Sequence, residues 1–131
     1  MNISTSTFQS VLLIDDNSID NFINKKLIET TGVAEQVVVM DSGAGALDYL
    51  KTLSTFPDVI LLDVQMPGMD GFAFLQEYAK LPAELTQRCT VFMLSSSIDH
   101  RDLIRARENP HVKRYFNKPL NVQELLVYAT A

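Results

Sequence analysis

Short aliphatic runs alternate along the chain with segments in which apolar residues recur every three or four positions. The runs are nearly continuous in apolar character, which is typical of parallel strands covered on both faces. They predict five strands, near residues 10–14, 36–40, 58–62, 90–94 and 112–116. With helical segments between them, right-handed crossovers favour an α/β fold: a doubly wound, five-stranded parallel sheet in the order 2-1-3-4-5.

The first helix has clear boundaries in the sequence. It is expected to begin near Ser18 and to end at Gly32, because glycine readily takes the positive φ found after a helix. Its inward stripe is expected to comprise Ile19, Phe22, Ile23 and Leu27. The other four helices are expected to start at Ser42, after Gly71, after Asp99 and at Asn121, and the third to turn Phe72, Leu75 and Ala79 inward.

Composition bounds the class of protein. The 131 residues, 47% of them hydrophobic, fit one domain with a sizeable core, residues 1–131. The net charge of −5 argues against a general nucleic-acid binder, although residues 1–98 carry 5 basic and 12 acidic residues (−7) and residues 99–131 carry 6 and 4 (+2). No apolar run approaches roughly 18 residues and the start lacks a signal peptide's basic region, so we expect a cytoplasmic protein without a membrane span.

Charged residues directly follow three of the predicted strands. Asp15 and Asp16 follow the first strand, Asp63 the third, and Lys118 the fifth. Because strands 1 and 3 are neighbours in the predicted order, the three carboxylates should meet at the edge where open α/β sheets bind ligands. Two like charges 4 Å apart cost about 4 kcal/mol at an effective dielectric near 20, so something must offset them. Mg²⁺ is the natural candidate, with Lys118 suited to an accompanying anionic group such as phosphate.

The Asp15-Asp16 pair also has a simpler explanation, since acidic residues after a strand often cap the next helix. Taken alone, the pair favours capping. Asp63 differs, because it precedes a turn-rich loop, residues 66–71, that is expected to leave its side chain exposed.

Four islands of sequence resemble the receiver domain of bacterial two-component response regulators, and the resemblance covers essentially the whole chain. The islands are Asp15-Asp16, residues 63–71 (DVQMPGMDG), Ser95, and residues 115–119 (YFNKP). The resemblance implies a flavodoxin-like (βα)5 fold and a stand-alone receiver domain, whose signal passes to a separate partner or along a phosphorelay.

By the same resemblance, Asp63 would accept a phosphoryl group from a histidine kinase or a histidine phosphotransfer protein. Asp16, and Asp15 partly through water, would hold Mg²⁺ with Asp63 and the backbone carbonyl of Gln65. Lys118 would contact the acyl phosphate, and its peptide bond to Pro119 would be cis. Positioning and charge neutralisation supply most of the effect in phosphoryl transfer, so such a domain is a self-modifying acceptor with autodephosphorylation more than an enzyme.

The resemblance further implies a switch at Ser95 and Tyr115. Ser95 would turn its hydroxyl to a phosphoryl oxygen, with neighbouring Ser96 as the alternative, and Tyr115 would change rotamer as Ser95 moves. A downstream protein would bind the face made by the predicted fourth helix, fifth strand and fifth helix. The chain would be a monomer or a phosphorylation-linked dimer, without direct nucleic-acid or membrane binding.

Two rival functions stay open on the sequence. A Mg²⁺-dependent hydrolase on the same fold would turn over an external phosphate ester. A phosphorylation-independent binding module would not use the acidic residues, and the intact set of Asp16, Asp63 and Lys118 speaks against it.

Overall fold

A computed structural model describes residues 7–97 and 99–129 of the chain. Its five strands are β1 Phe8–Ile14, β2 Ala34–Met40, β3 Val59–Asp63, β4 Thr90–Ser95 and β5 Val112–Asn117. All neighbouring strands are parallel and their order is β2-β1-β3-β4-β5, which confirms the predicted sheet. The central strand β3 is buried along its whole length, in keeping with its unbroken apolar run.

Six helices lie in the described part of the chain. They are α1 Ser18–Thr31, α2 Gly43–Lys51, α3 Gly71–Tyr78, α4 Ala83–Thr86, α5 His100–Glu108 and α6 Val122–Ala129. The four-residue α4 was not predicted, because a single turn after Pro82 is too short to show a helical period. The predicted fourth and fifth helices are therefore α5 and α6.

The helices pack on both faces of the sheet. Side chains alternate along each strand, so Leu12 and Ile14 of β1 join the core beneath α2 and α3, while Val11 and Leu13 join the core beneath α1 and α6. In α3, Phe72 and Leu75 are buried as predicted. Ala79 was wrongly placed inward: it follows the last residue of α3 and is exposed.

The predicted inward stripe of α1 is wrong at three of its four residues, and the fourth, Leu27, is half-buried. Ile19, Phe22 and Ile23 are 67%, 63% and 44% exposed, whereas Asn21, Asn24 and Ile28 face the sheet. Asn21 can be buried because its amide donates to the backbone carbonyl of Asp15 at 2.7 Å. Asn21 thus lies on the face of α1 that packs on the sheet, and the apolar residues Ile19 and Phe22 lie on the exposed face. Gly32, at φ 69°, ends the helix as predicted.

None of the helices within residues 7–97 and 99–129 is long and apolar enough to cross a membrane.

Candidate functional site

Three aspartates meet at the carboxyl edge of the sheet, as the strand order requires. The pairing of Ile14 with Leu62 places the end of β1 beside the end of β3. Asp15, Asp16 and Asp63 then each offer a carboxylate oxygen within 4.8 Å of the other two. Asp63 is 5% exposed, so the expectation of an exposed side chain was wrong; the loop after β3 folds back over the strand end.

Gly71 permits that return of the loop. Its N–H donates to the carbonyl of Val64 at 2.8 Å. A Cβ at Gly71 would lie 2.7 Å from the backbone oxygen of Asp63 and 2.8 Å from the Met93 side chain. Only a residue without a side chain fits so close to the strand end, and the turn before it is completed by Gly68 at φ 79°.

Helix capping does not account for the Asp15-Asp16 pair. The cap of α1 is Asn17, whose side chain accepts from the N–H groups of Ile19 and Asp20. Asp15 instead accepts from the N–H of Asn17 with one carboxylate oxygen at 2.9 Å. Its other oxygen points to Lys118. Neither aspartate is committed to capping the helix, and together with Asp63 the pair makes a set of three carboxylates that fits a hard divalent ion such as Mg²⁺.

Lys118 reaches into this cluster from the end of β5. Its Nζ donates to Asp15 Oδ2 at 2.7 Å and to Asp20 Oδ2 at 2.9 Å, and lies 3.3 Å from Asp63 Oδ1. The Lys118-Pro119 peptide is cis, as the resemblance implied. The contact with Asp20 was not predicted, because an acidic residue in the first turn of a helix is equally explained by the helix dipole.

The pocket perturbs the ionisation of its members. Burial of the carboxyl and the nearby charge of Asp15 raise the pKa of Asp63 to about 6, against the opposing effect of Lys118. Burial lowers the pKa of Lys118, but hydrogen bonds to Asp15 and Asp20 and the charge of Asp63 outweigh it and raise the pKa above the ordinary range. Lys118 therefore stays an ammonium, and Asp63 is a carboxylate of increased basicity.

An open pocket of about 430 Å³ surrounds these groups. Besides the charged residues, its lining includes Ile19 of α1, Gln65 after β3 and Ser96 after β4. Gln65 thus borders the same pocket as the three aspartates, and the contact of its carbonyl to a metal stays a prediction. Ser96 is exposed and faces the same space.

Ser95 and Tyr115 converge on a different atom. The Ser95 hydroxyl is buried and donates to the carbonyl oxygen of Ser97 at 2.8 Å, and it accepts from the N–H of Ser97 at 3.2 Å. The Tyr115 hydroxyl donates to the same carbonyl oxygen at 3.4 Å. The two predicted switch residues are therefore linked through Ser97, and their roles stay predictions.

Tyr115 also borders the predicted partner face. A groove of about 190 Å³ between α5 and β5 is lined by Tyr115, Leu103 and Ala106 together with three basic residues, Arg107, Lys113 and Arg114. Three basic side chains therefore line this groove, in the part of the chain whose net charge is positive.

Comparisons with known proteins agree with this geometry. Residues 11–130 match the family described as "Response regulator receiver domain". The chain is 30% identical over 119 residues to the probable methanogenesis regulatory protein FilR2 of Methanothrix harundinacea, covering 88% of this chain and 75% of that protein. It resembles the solved two-component response regulator of Cytophaga hutchinsonii at 32% identity and a TM-score of 0.86, covering 94% of this chain and 95% of that one. It also resembles the Mn(2+)-bound form of response regulator Rcp1 of Synechocystis at 27% identity and a TM-score of 0.73, covering 92% of this chain and 88% of that one.

Proposed function

This chain belongs to the response regulator receiver domain family of two-component signalling, and we propose that it is a phosphorylation-controlled switch whose phospho-acceptor is Asp63. The observation that carries the proposal is the position of Asp63, a buried carboxylate between two further aspartates and the ammonium of Lys118. A receiver is a regulatory domain, so in this proposal the pocket phosphorylates its own Asp63 and does not turn over an external substrate.

Asp63 is suited to be the nucleophile. Its pKa of about 6 leaves it ionised at neutral pH, with more basicity than an ordinary aspartate. In the proposed reaction a carboxylate oxygen of Asp63 bonds to phosphorus as the bond from phosphorus to a histidine nitrogen of the donor breaks. Lys118, whose ammonium lies 3.3 Å from Asp63 Oδ1, is placed to pair with an oxygen of the transferred group.

Asp15, Asp16, Asp63 and the backbone carbonyl of Gln65 are the groups that would hold Mg²⁺. A bound Mg²⁺ would offset the carboxylate charges and bind a phosphoryl oxygen, so that an anionic donor can approach. The Mn(2+)-bound form of the similar Rcp1 supports a divalent cation in this fold.

The donor is proposed to be a histidine kinase or a histidine phosphotransfer protein. Such a protein must rest on the rim of the pocket to bring its histidine to Asp63. The proposed docking surface on this rim is the exposed apolar face of α1. Ile19 lines the pocket, and Phe22 and Ile23 extend the exposed apolar face along the helix. Exposed apolar residues that adjoin a polar site are typical of a protein-docking surface.

We propose that the output leaves by a different face, on the side of β4 and β5. A phosphoryl oxygen offers the Ser95 hydroxyl a stronger, charge-assisted partner than the carbonyl of Ser97. If the Ser95 hydroxyl turned to the phosphoryl oxygen, the carbonyl of Ser97 would lose one of its two hydroxyl donors and keep only Tyr115. The face formed by α5, β5 and α6 would then bind a downstream protein, with the chain a monomer or a phosphorylation-linked dimer.

The test is incubation with acetyl phosphate and Mg²⁺, followed by intact mass. The wild type is expected to gain one phosphoryl group that is lost in alkali, and Asp63→Asn to gain none. Chelation of Mg²⁺ should prevent labelling. Undiminished labelling of Asp63→Asn would refute the proposal, and steady release of phosphate from an external ester would favour the hydrolase instead.

A further inference from the structure

The ammonium of Lys118 is shared among three carboxylates that differ in one respect. Asp15 and Asp63 belong to the cluster of three that fits a cation, whereas Asp20 does not. The Nζ contacts are 2.7 Å to Asp15, 2.9 Å to Asp20 and 3.3 Å to Asp63. The contacts to Asp15 and Asp20 are hydrogen bonds, and the longer contact to Asp63 is an ion pair.

Lys118 and a cation compete for the same oxygens. Each would bind Asp15 and Asp63, and like charges within a few ångströms repel strongly in a partly buried pocket. The carboxylate of Asp20 is free of this competition, so it can keep Lys118 paired while the cluster binds a cation.

The fold fixes Asp20 in that position. Asp20 is the third residue of α1, and its N–H donates to the Asn17 cap at 3.1 Å. Its side chain is 33% exposed and lines the pocket beside Lys118. Asp20 is therefore held on a capped helix, outside the strand-end cluster.

We propose that Asp20 is a positioning residue that keeps Lys118 paired on the α1 side of the pocket when Asp15 and Asp63 release it to bind the cation. Without Asp20, the ammonium would pair more fully with those two carboxylates and compete with the metal. The inference rests on the proposed function for its metal, but it concerns binding and can be measured without phosphorylation.

The experiment is a calorimetric titration of Mg²⁺ into the whole chain, with no phosphodonor. Asp20→Ala is expected to weaken Mg²⁺ binding about fivefold, the upper range for a partly exposed ion pair, and Asp20→Glu to restore it. Asp41→Asn is the matched control. Asp41 follows β2 at the same sheet edge and is exposed, so this change removes an equal charge without touching Lys118, and should alter the dissociation constant less than twofold.

A double-mutant cycle separates positioning from simple charge. In a Lys118→Met background, Asp20→Ala should change Mg²⁺ binding no more than Asp41→Asn does. An equal loss in both backgrounds, or a loss in Asp20→Ala no greater than in Asp41→Asn, overturns the inference. Asp20→Asn, which keeps the shape of the side chain, replaces the alanine variant if that variant unfolds at a lower temperature.

The same proteins separate this inference from the proposed function. A wild type that binds Mg²⁺ but takes no phosphoryl group at Asp63 overturns the proposed function alone. Normal phosphorylation with no special effect of Asp20→Ala overturns the inference alone. A wild type that binds no Mg²⁺ overturns both.

Discussion

The two sides of the carboxyl edge differ in how their polar atoms are satisfied. On the charged side, next to α1, Lys118 bridges acidic groups that belong to separate elements. On the hydroxyl side, at the end of β4, the hydroxyls of Ser95 and Tyr115 both donate to the carbonyl of Ser97. The charged side holds more carboxylates than Lys118 can neutralise and so favours binding a cation. On the hydroxyl side, both hydroxyls already have a hydrogen-bond acceptor.

This difference suggests separate roles: the charged side binds the ligands, and the hydroxyl side passes on the response. A phosphoryl group and a cation can join the charged side if Lys118 exchanges its contacts with Asp15 and Asp63 for Asp20, because all of these side chains already line the pocket. The hydroxyl side can respond only if a hydrogen bond worth about 1 kcal/mol is exchanged for another. We therefore expect changes on the charged side to alter the chemistry, and changes on the hydroxyl side to alter only the response.

The largest effect is expected from Lys118→Met, which keeps the length of the side chain and removes its charge. Labelling of Asp63 by acetyl phosphate should slow about 100-fold, as for loss of a charge-stabilising donor. The rate is measured by intact mass at saturating Mg²⁺, with Lys113→Met on the partner face as the control. A rate near that of the wild type would show that the charged side does not depend on its ammonium.

A second prediction concerns the ionisation of the buried Asp63 carboxyl. The pKa of Asp63 is raised from 3.8 to about 6, so the folded protein holds this proton more tightly than the unfolded chain. The associated stability is present below about pH 4 and is lost as pH rises through about 6. Without metal at pH 7, Asp63→Asn should therefore increase the free energy of unfolding by about 1 to 3 kcal/mol.

Denaturant titrations of both proteins at pH 4 and pH 7, in chelator, measure this difference. The gain of Asp63→Asn should be small at pH 4 and should shrink at pH 7 when Mg²⁺ is added to the wild type. A gain independent of pH would mean that ionisation of the buried Asp63 carboxyl, next to the charge of Asp15, does not destabilise the fold.

A smaller effect is expected at the rim of the charged side. Phe22→Ser should reduce the rate of phosphoryl transfer from a histidine phosphotransfer domain about fivefold, since Phe22 is 63% exposed and follows Ile19, which lines the pocket, by about one turn of α1. Labelling by acetyl phosphate should not change. Val127→Ser, on α6 and 61% exposed, is the matched control. Equal loss with both donors would place Phe22 in the fold and not in docking.

The sequence predicted the sheet better than the helices around it. Strands buried on both faces carry a signal that packing cannot reverse, so the order of β1 and β3, and the meeting of Asp15 with Asp63, could be predicted. The inner face of α1 could not, because Asn21 is buried through a hydrogen bond to a backbone carbonyl that no periodicity reveals. Asp20 was missed because an acidic residue in the first turn of a helix is already explained by the helix dipole, so nothing in the sequence pointed to its contact with Lys118.

The smallest effect on the chemistry, and the sharpest test of the hydroxyl side, is expected from Ser95→Ala. The hydroxyl of Ser95 already bonds to Ser97, so its loss should change the rate of Asp63 labelling less than twofold. The response should be weaker, because a ligand shifts a two-state equilibrium only through contacts that differ between the states.

Amide chemical-shift changes on phosphorylation, recorded around Tyr115 and along α5, measure that response. Ser95→Ala should lose about half of their amplitude, in line with one hydrogen bond of about 1 kcal/mol. Ser96→Ala is the control, since Ser96 lines the pocket and, within residues 7–97 and 99–129, no hydrogen bond joins its side chain to Ser97 or Tyr115. A full response in Ser95→Ala with a reduced one in Ser96→Ala would contradict the proposal. It would mean that the exposed hydroxyl of Ser96, and not that of Ser95, couples phosphorylation of Asp63 to the changes around Tyr115.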